Sequence, residues 1–273
     1  MITRKIPSTG ELLPVIGLGT WKVFDVPATS KPDTLTSVLT TLYQQGGRLI
    51  DSSPMYGRSE EVIGEITCQL PSRDDYFYAT KVWVQGEKEG IAQMESSMTR
   101  MKREVVDLMQ IHNLLDWKKH LRTLRKWKEE GRIRYIGITH YTDGMHAALE
   151  DVIRAEKIDF VQFNYSIGDR HAEESLLPAA RDYGVATIVN RPFTEGGLFS
   201  IVRGKQLPSW VAEFGINSWS QFFLKYILAH PAVTCVIPAT SNPEHMLDNL
   251  LAADELLPGE AIRKKMVSTI REM

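Results

Sequence analysis

The sequence is poor in cysteine and has no long apolar run, and both features narrow the possible classes of protein. Only Cys68 and Cys235 occur among the 273 residues, too few and too far apart for a disulfide framework or a cysteine metal motif. We interpret both as small buried residues of a protein of the reducing cytoplasm. No stretch approaches the roughly 18 uninterrupted apolar residues of a membrane helix, and the charges and prolines of residues 1–14 argue against a signal peptide. We therefore expect no membrane association.

An excess of positive charge is missing as well. The 32 Lys and Arg residues are balanced by 34 Asp and Glu, so the formal net charge is −2 and the pI is near 6.4. Without a basic patch, binding to nucleic acid is not expected. The chain also lacks a low-complexity linker, and its 43% of hydrophobic residues is enough for one large core. We therefore predict one domain over residues 1–273.

What the sequence does contain is a repeated unit of strand and helix. A predicted hairpin over residues 4–14 precedes a first core strand at 15–20. Eight strands in all are each followed by an amphipathic helical segment, and two helices, 243–254 and 259–270, end the chain. Eight such units in about 250 residues predict an α/β fold, a (β/α)8 TIM barrel with an N-terminal β-hairpin and an extra C-terminal helix.

An open, doubly wound α/β sheet is the alternative fold. That fold usually has a glycine-rich fingerprint after its first strand. Here the segment Gly17-Leu18-Gly19-Thr20-Trp21 lacks the third glycine and the helix start that should follow. The barrel is therefore the favoured prediction.

Titratable side chains follow three successive predicted strands. Short apolar runs end on Asp51, Lys81 and His112, and Tyr56 lies in the turn after the first of them. Taken singly, a strand-end aspartate and a loop tyrosine are also typical of turns and surface packing. Because ligands bind at the carboxyl ends of parallel strands, however, we expect these four side chains to meet at one mouth. Ser59 is predicted to cap the next helix with its hydroxyl.

The four side chains together suit the protonation of an oxygen atom. A phenol has an ordinary pKa of roughly 10, so Tyr56 needs a nearby cation to act as an acid, and Lys81 can supply it. Asp51 is the candidate counter-charge for Lys81, and His112 can donate a hydrogen bond to a substrate oxygen. Protonation of the oxygen while another group attacks the carbon is what hydride addition to a carbonyl requires, but no side chain provides hydride. A nicotinamide cofactor is therefore expected at the same mouth.

Over nearly its whole length the sequence resembles the aldo-keto reductase family. The matching motifs, in order, are LPVIGLGTW, the segment from Asp51 to Gly64, Thr80-Lys81 and QIHN at 110–113. The resemblance implies NAD(P)H-dependent reduction of an aldehyde or ketone. It implies Tyr56 as general acid, Lys81 and Asp51 as its tuning pair, and His112 beside the carbonyl. The implied cofactor is NADPH, with NADH not excluded.

The resemblance also implies the positions that hold the cofactor. They lie at or just after the ends of six strands and comprise Gly19, Thr20, Trp21 and Asp51; Thr139, His140 and Gln162 near the carboxamide; Asn190, Arg191 and Pro192; and Thr240, Ser241, Asn242, His245, Asp248 and Asn249 at the adenosine. Asn190 stands where relatives often have a tyrosine that stacks on the nicotinamide. Ala239 and His245 stand where many relatives have a lysine and an arginine for the 2′-phosphate.

Residues 237–249, which we call the adenosine segment, also predict a binding site independently of the resemblance. Asn242-Pro243 is a strong helix start, with a cap residue followed by proline at the first helical position. Its backbone amides, with the hydroxyls of Thr240 and Ser241, predict an anion site suited to a ribose phosphate. An ordinary well-capped helix is the alternative interpretation.

The expected partner is a small carbonyl compound. Trp21, Trp83 and His112 are candidate substrate contacts, although simple packing explains the tryptophans equally well. A metal site is not expected, because the remaining histidines lack ligand spacing. Two rival functions stay open: a cofactor-binding interaction module resembling the potassium-channel β subunits, and a barrel isomerase or hydrolase that needs no nicotinamide. The sequence predicts no oligomeric state.

Overall fold

The computed structural model describes residues 1–28 and 33–273 and contains a closed eight-stranded barrel. The predicted hairpin is present, with β1 (Thr3–Lys5) antiparallel to β2 (Leu12–Pro14). The barrel strands are β3 (Leu18–Gly19), β4 (Leu49–Asp51), β5 (Phe77–Val82), β6 (Val106–His112), β7 (Ile133–Thr139), β8 (Phe160–Asn164), β9 (Ala186–Asn190) and β10 (Cys235–Val236). Successive strands pair in parallel, and parallel bridges from Ile16 to Val236 and from Gly19 to Ala239 close the ring.

Helices connect the strands and surround the barrel. They are α1 (Asp33–Gln44), α2 (Ser59–Thr67), α3 (Glu87–Arg100), α4 (Trp117–Glu129), α5 (His146–Ala155), α6 (Leu176–Asp182), α7 (Gly197–Ile201), α8 (Trp219–Leu228), α9 (Pro243–Leu251) and α10 (Glu260–Arg271). The predicted (β/α)8 barrel with an N-terminal hairpin and an extra C-terminal helix is confirmed. The short α7 and the 3-10 segment Ser209–Phe214 were not predicted, because so few residues carry no helical periodicity. Within the described ranges, no helix has the length and apolar content needed to cross a bilayer.

The barrel interior and the hairpin form one apolar cluster. Ile6 and Leu13 from the hairpin join residues near the beginnings of the strands, among them Leu49, Phe77 and Phe160. Ile6 is fully buried there. The hairpin therefore plugs the end of the barrel at which the strands begin, and the opposite end is left for the polar strand-end residues.

Closure of the barrel requires glycine at position 19. A Cβ atom there would lie 2.9 Å from the carbonyl oxygen of Ile237, closer than a side chain can approach a backbone atom. The bridge from Gly19 to Ala239 runs past this point. Gly19 thus lets the first and last parts of the barrel meet directly beside the predicted site.

Two expectations from the sequence are wrong. Ser59 does not cap α2, because the helix begins at Ser59 and Arg58 occupies the cap position without a side-chain hydrogen bond. The Ser59 hydroxyl instead donates to the carbonyl oxygen of Tyr56 at 2.7 Å. Cys68 is exposed, because it lies just after the last turn of α2, whereas Cys235 is buried in β10 as expected.

Candidate active site

Asp51 and Lys81 form a buried ion pair at the carboxyl ends of β4 and β5. Lys81 Nζ lies 2.6 Å from Asp51 Oδ2, and the two side chains are 0% and 3% exposed. Lys81 Nζ also donates to the carbonyl oxygen of Ser52 at 2.7 Å. These hydrogen bonds hold the pair in place. Removal of either partner would leave the other charge buried and uncompensated, which is unfavourable.

Tyr56, in the loop after β4, lies next to the ion pair. Lys81 Nζ lies 5.0 Å from the centre of the Tyr56 ring. Burial raises the pKa of Tyr56, and the Lys81 ammonium acts in the opposite direction without cancelling that effect. Burial alone would lower the pKa of Lys81, but the nearby Asp51 carboxylate and the Tyr56 phenol raise it overall. At neutral pH the pair is therefore a protonated phenol beside an ammonium group.

His112 faces Tyr56 from the end of β6. The two ring centres are 6.1 Å apart with the planes nearly perpendicular, and Trp83 lies on another side at 6.2 Å between ring centres. His112 Nδ1 is 3.2 Å from the hydroxyl oxygen of Ser53. Burial, followed by the Lys81 ammonium, lowers the pKa of His112 to about 2. The imidazole is therefore neutral at neutral pH.

Two glutamines extend the polar group across the barrel. Gln110 Nε2 and Gln162 Nε2 donate to Asp51 Oδ1 at 2.8 and 2.9 Å. Thr139 Oγ1 donates to Gln162 Oε1 at 3.2 Å, and Asn190 Nδ2 lies 3.4 Å from the same oxygen. Gln162, predicted to contact the cofactor carboxamide, thus has both of its amide atoms bonded to neighbouring side chains.

Sequence reasoning missed Gln110 and Ser53 as site residues. A signal for Gln110 was available, because it lies two positions before His112 on one strand, and such residues point to the same face. No comparable signal existed for Ser53. Its contact with His112 joins the loop after β4 to the end of β6, whose relative position only the barrel determines.

The predicted cofactor residues His140, Asn190, Arg191 and Pro192 lie on the rim of the same mouth. Asn190 Nδ2 donates to the carbonyl oxygen of His140 at 3.1 Å, while Asn190 Oδ1 is buried without a partner among the described residues. Arg191 donates to the carbonyl oxygen of Tyr141 at 3.1 Å, and Pro192 beside it is buried.

Thr20 and Trp21, which follow Gly19 at the end of β3, differ in exposure. The Thr20 hydroxyl is buried and donates to the carbonyl oxygen of Asp51 at 2.9 Å. Trp21 is 39% exposed, and Lys22 Nζ lies 4.0 Å from the centre of its ring. Trp83 is similarly exposed, at 40%, but its ring centre lies 6.2 Å from that of His112.

The predicted adenosine segment lies at the start of α9. Asn242 caps the helix, since its side chain accepts a hydrogen bond from the Glu244 amide at 2.8 Å, and Pro243 follows as predicted. Thr240 Oγ1 accepts a hydrogen bond from the Asn242 amide at 3.0 Å. Ser241 and His245 are exposed. The helix start is thus well ordered, with polar groups at its surface.

Asp248 and Asn249, in the same helix, differ in their hydrogen bonding. The Asp248 carboxylate accepts from the Ser218 hydroxyl at 2.7 Å and from Gln221 Nε2 at 2.6 Å. Asn249 is 2% exposed, and its Oδ1 has no hydrogen-bond partner in the described part of the chain. A buried amide oxygen without a partner is unfavourable unless a ligand supplies a donor.

A second polar cluster lies outside this group, where the start of α5 meets the end of β8 and the segment that follows it. His146 Nδ1 is 3.1 Å from His171 Nδ1, and His146 Nε2 is 3.0 Å from Asn164 Oδ1. Over residues 1–28 and 33–273, no three His, Cys, Asp or Glu side chains are arranged to hold a metal ion.

The fold and the mouth together define a (β/α)8-barrel protein with a polar site at the carboxyl ends of its strands. Residues 15–265 match the family model described as the aldo/keto reductase family. The aldo-keto reductase YhdN of Bacillus subtilis (strain 168) is 26% identical over 226 residues, which cover 76% of this chain and 66% of that protein. The NADH-specific methylglyoxal reductase of Escherichia coli (strain K12) is 26% identical over 242 residues, covering 75% of this chain and 72% of that protein.

Solved structures share the fold over nearly the full length of the chain. A crystal structure of an aldo-keto reductase from Klebsiella pneumoniae in complex with NADPH superposes with a TM-score of 0.82 at 22% identity, covering 99% of this chain and 96% of that one. The chain belongs to the aldo/keto reductase family. It is accordingly an NAD(P)H-dependent oxidoreductase that acts on carbonyl groups.

Proposed function

We propose that Tyr56, Lys81, Asp51 and His112 are the catalytic residues of this reductase. The observation that carries the proposal is the position of Lys81, whose buried ammonium group is 2.6 Å from the Asp51 carboxylate and 5.0 Å from the centre of the Tyr56 ring. An ammonium group favours negative charge on a neighbouring phenol oxygen. Tyr56 can therefore give its proton to a carbonyl oxygen as that oxygen becomes negative, while Asp51 keeps Lys81 charged.

His112 has a separate role in this proposal. Since the imidazole is neutral, it can donate one hydrogen bond to the carbonyl oxygen without adding a positive charge beside Lys81. Among the described residues, His112 Nε2 has no hydrogen-bond partner, so that atom is free for a substrate. Trp83 beside the ring would provide an apolar wall for the rest of the molecule.

The residues at the rim fit a nicotinamide dinucleotide. When bound, the cofactor supplies the hydride that no side chain provides. Asn190 and Asn249, predicted at the nicotinamide and adenine ends of the cofactor, each have a buried Oδ1 atom without a partner among the described residues. They suit the two amino groups of the dinucleotide, the carboxamide near Asn190 and the adenine near Asn249. The capped start of α9 suits the ribose phosphate at the adenosine end.

We propose NADPH as the cofactor, with NADH as an alternative to be measured alongside it. The segment 237–249 contains no Lys or Arg, so the 2′-phosphate of NADPH would depend on the amides of α9 and on His245. The relative from Escherichia coli is named NADH-specific, whereas the Klebsiella pneumoniae structure contains NADPH. We further propose small aldehydes and ketones as substrates, with dicarbonyls such as methylglyoxal included, and a cytoplasmic location, which two unpaired cysteines suit.

The test replaces Tyr56 by phenylalanine. We expect oxidation of NADPH or NADH with a panel of aldehydes, ketones and methylglyoxal to slow in kcat by about 10²–10⁴-fold, because the proton donor is lost. Cofactor affinity, measured by fluorescence titration, should stay the same because the phenol does not hold the dinucleotide. Tyr183→Phe removes a hydroxyl from an exposed surface tyrosine and serves as the matched control. Unchanged kcat in Tyr56→Phe would exclude this mechanism.

A further inference from the structure

Ser53 connects two of the proposed catalytic residues. It lies in the loop between β4 and α2 and is fully buried. Its carbonyl oxygen accepts a hydrogen bond from the Tyr56 amide at 3.0 Å, which holds the turn that presents the phenol. Its hydroxyl oxygen is 3.2 Å from His112 Nδ1. One residue thus contacts Tyr56 through its backbone and His112 through its side chain.

The direction of the bond between Ser53 and His112 follows from the surroundings of the hydroxyl. The Met55 amide donates to Ser53 Oγ at 3.4 Å, so the oxygen is already an acceptor on that side. In the described parts of the chain, His112 Nδ1 is the only acceptor within reach of the Ser53 hydroxyl hydrogen. If Nδ1 carried a hydrogen and donated it to Ser53, the buried hydroxyl would be left without an acceptor, which is unfavourable. The hydroxyl therefore donates to Nδ1.

A neutral imidazole that accepts at Nδ1 carries its hydrogen on Nε2. The other tautomer would direct a lone pair at the carbonyl oxygen and repel it. We propose that Ser53 is a positioning residue that fixes His112 in the Nε2–H tautomer and so prepares it to bind the substrate oxygen. This inference rests on the proposed function, because it assumes that His112 Nε2 faces the carbonyl.

The test uses Ser53→Ala in the full-length protein, because alanine keeps the backbone bond to Tyr56 and removes only the hydroxyl. The tautomer of His112 is measured by long-range ¹H–¹⁵N NMR of the imidazoles, with the His112 signals assigned by comparison with His112→Gln. We expect Nε2–H alone in the wild-type protein and a raised Nδ1–H population in Ser53→Ala. We also expect kcat to fall by about 3- to 10-fold, the usual weight of one hydrogen bond, with an unchanged KM for the cofactor.

Ser97→Ala is the matched control, because Ser97 is equally buried, lies in α3 and makes no hydrogen bond to His112 or Tyr56 among the described residues. It should leave both the tautomer and kcat at their wild-type values. The inference is overturned if His112 has Nδ1–H in the wild-type protein, or if Ser53→Ala keeps the wild-type tautomer or the wild-type kcat. If the wild-type enzyme reduces no carbonyl compound, the proposed function fails instead, while the NMR comparison still decides whether Ser53 sets the tautomer.

Discussion

At the scale of single residues, the site is an arrangement of one buried charge pair and neutral donors. Lys81 and Asp51 form the charge pair at its centre, and Gln110 and Gln162 donate further hydrogen bonds to the carboxylate. A buried pair of this kind gains little stability by itself, since desolvation offsets the attraction. We infer that the pair is present because Tyr56 needs a fixed positive charge, and that the glutamines hold the Asp51 carboxylate that pairs with this charge.

The neutral state of His112 predicts how stability depends on pH. Its folded pKa, about 2, lies well below the ordinary value of 6.5, so the unfolded chain binds a proton that the folded protein does not. This contribution to stability is complete above pH 6.5 and decreases as the pH falls below it. Between pH 7 and pH 5, wild-type protein should therefore lose about 2 kcal/mol more unfolding free energy than His112→Gln.

Urea unfolding of both proteins at the two pH values measures this difference. Histidines such as His230, whose pKa burial also lowers, are common to the two proteins and cancel in the comparison. Equal losses in wild type and variant would mean that His112 titrates in the folded protein much as it does in the unfolded chain.

At the scale of elements, the start of α9 contributes both to the stability of the fold and to the proposed cofactor site. Asn242 caps the helix through its side chain, and Pro243 begins it. Replacing the cap by Asn242→Ala should lower the unfolding free energy by about 0.5–2 kcal/mol. It should also weaken NADPH binding, because the amides at the helix start lose their fixed orientation. Urea unfolding and fluorescence titration measure the two effects.

Asn242→Asp separates capping from charge in the same experiment. Aspartate caps a helix as well as asparagine does, so stability should return to the wild-type value. NADPH should still bind more weakly, since the added carboxylate repels a phosphate. Wild-type NADPH affinity in both variants would show that the phosphate binds elsewhere.

At the scale of the whole molecule, the two ends of the barrel have separate tasks. The hairpin plugs the end at which the strands begin, and the polar groups lie at the other end. Arg4 strengthens the plug by donating to the carbonyl oxygens of Leu228, His230 and Val233. Stability and chemistry can therefore be changed independently.

Ile6→Ala tests this separation. Ile6 is fully buried in the apolar cluster of the barrel, and loss of its side chain should lower the unfolding free energy by about 2–5 kcal/mol. Leu12→Ala, on the same hairpin but 58% exposed, should change stability by less than about 0.5 kcal/mol. KM for the cofactor should be the same in both variants and in the wild type. A changed KM in Ile6→Ala would show that the two ends are coupled.

The sequence by itself determined the barrel and the residues that end its strands. Alternating apolar strands and amphipathic helices can bury their apolar faces in few ways, so the (β/α)8 fold and the position of Asp51, Lys81 and His112 followed from local pattern. The Asn242 cap followed equally, because a cap depends on a few adjacent residues. That the chain forms one domain stays a prediction.

Only the tertiary structure decided which polar atoms meet. The bond from Ser53 to His112 and the pairing of Gln162 with Asp51 join residues 59 and 111 positions apart, and no local pattern specifies such contacts. Cys68 and Ser59 were wrongly predicted for the same reason: exposure and capping depend on where a helix begins and ends against its neighbours. Strand periodicity fixes the face on which a side chain lies, but closure of the barrel fixes its partner.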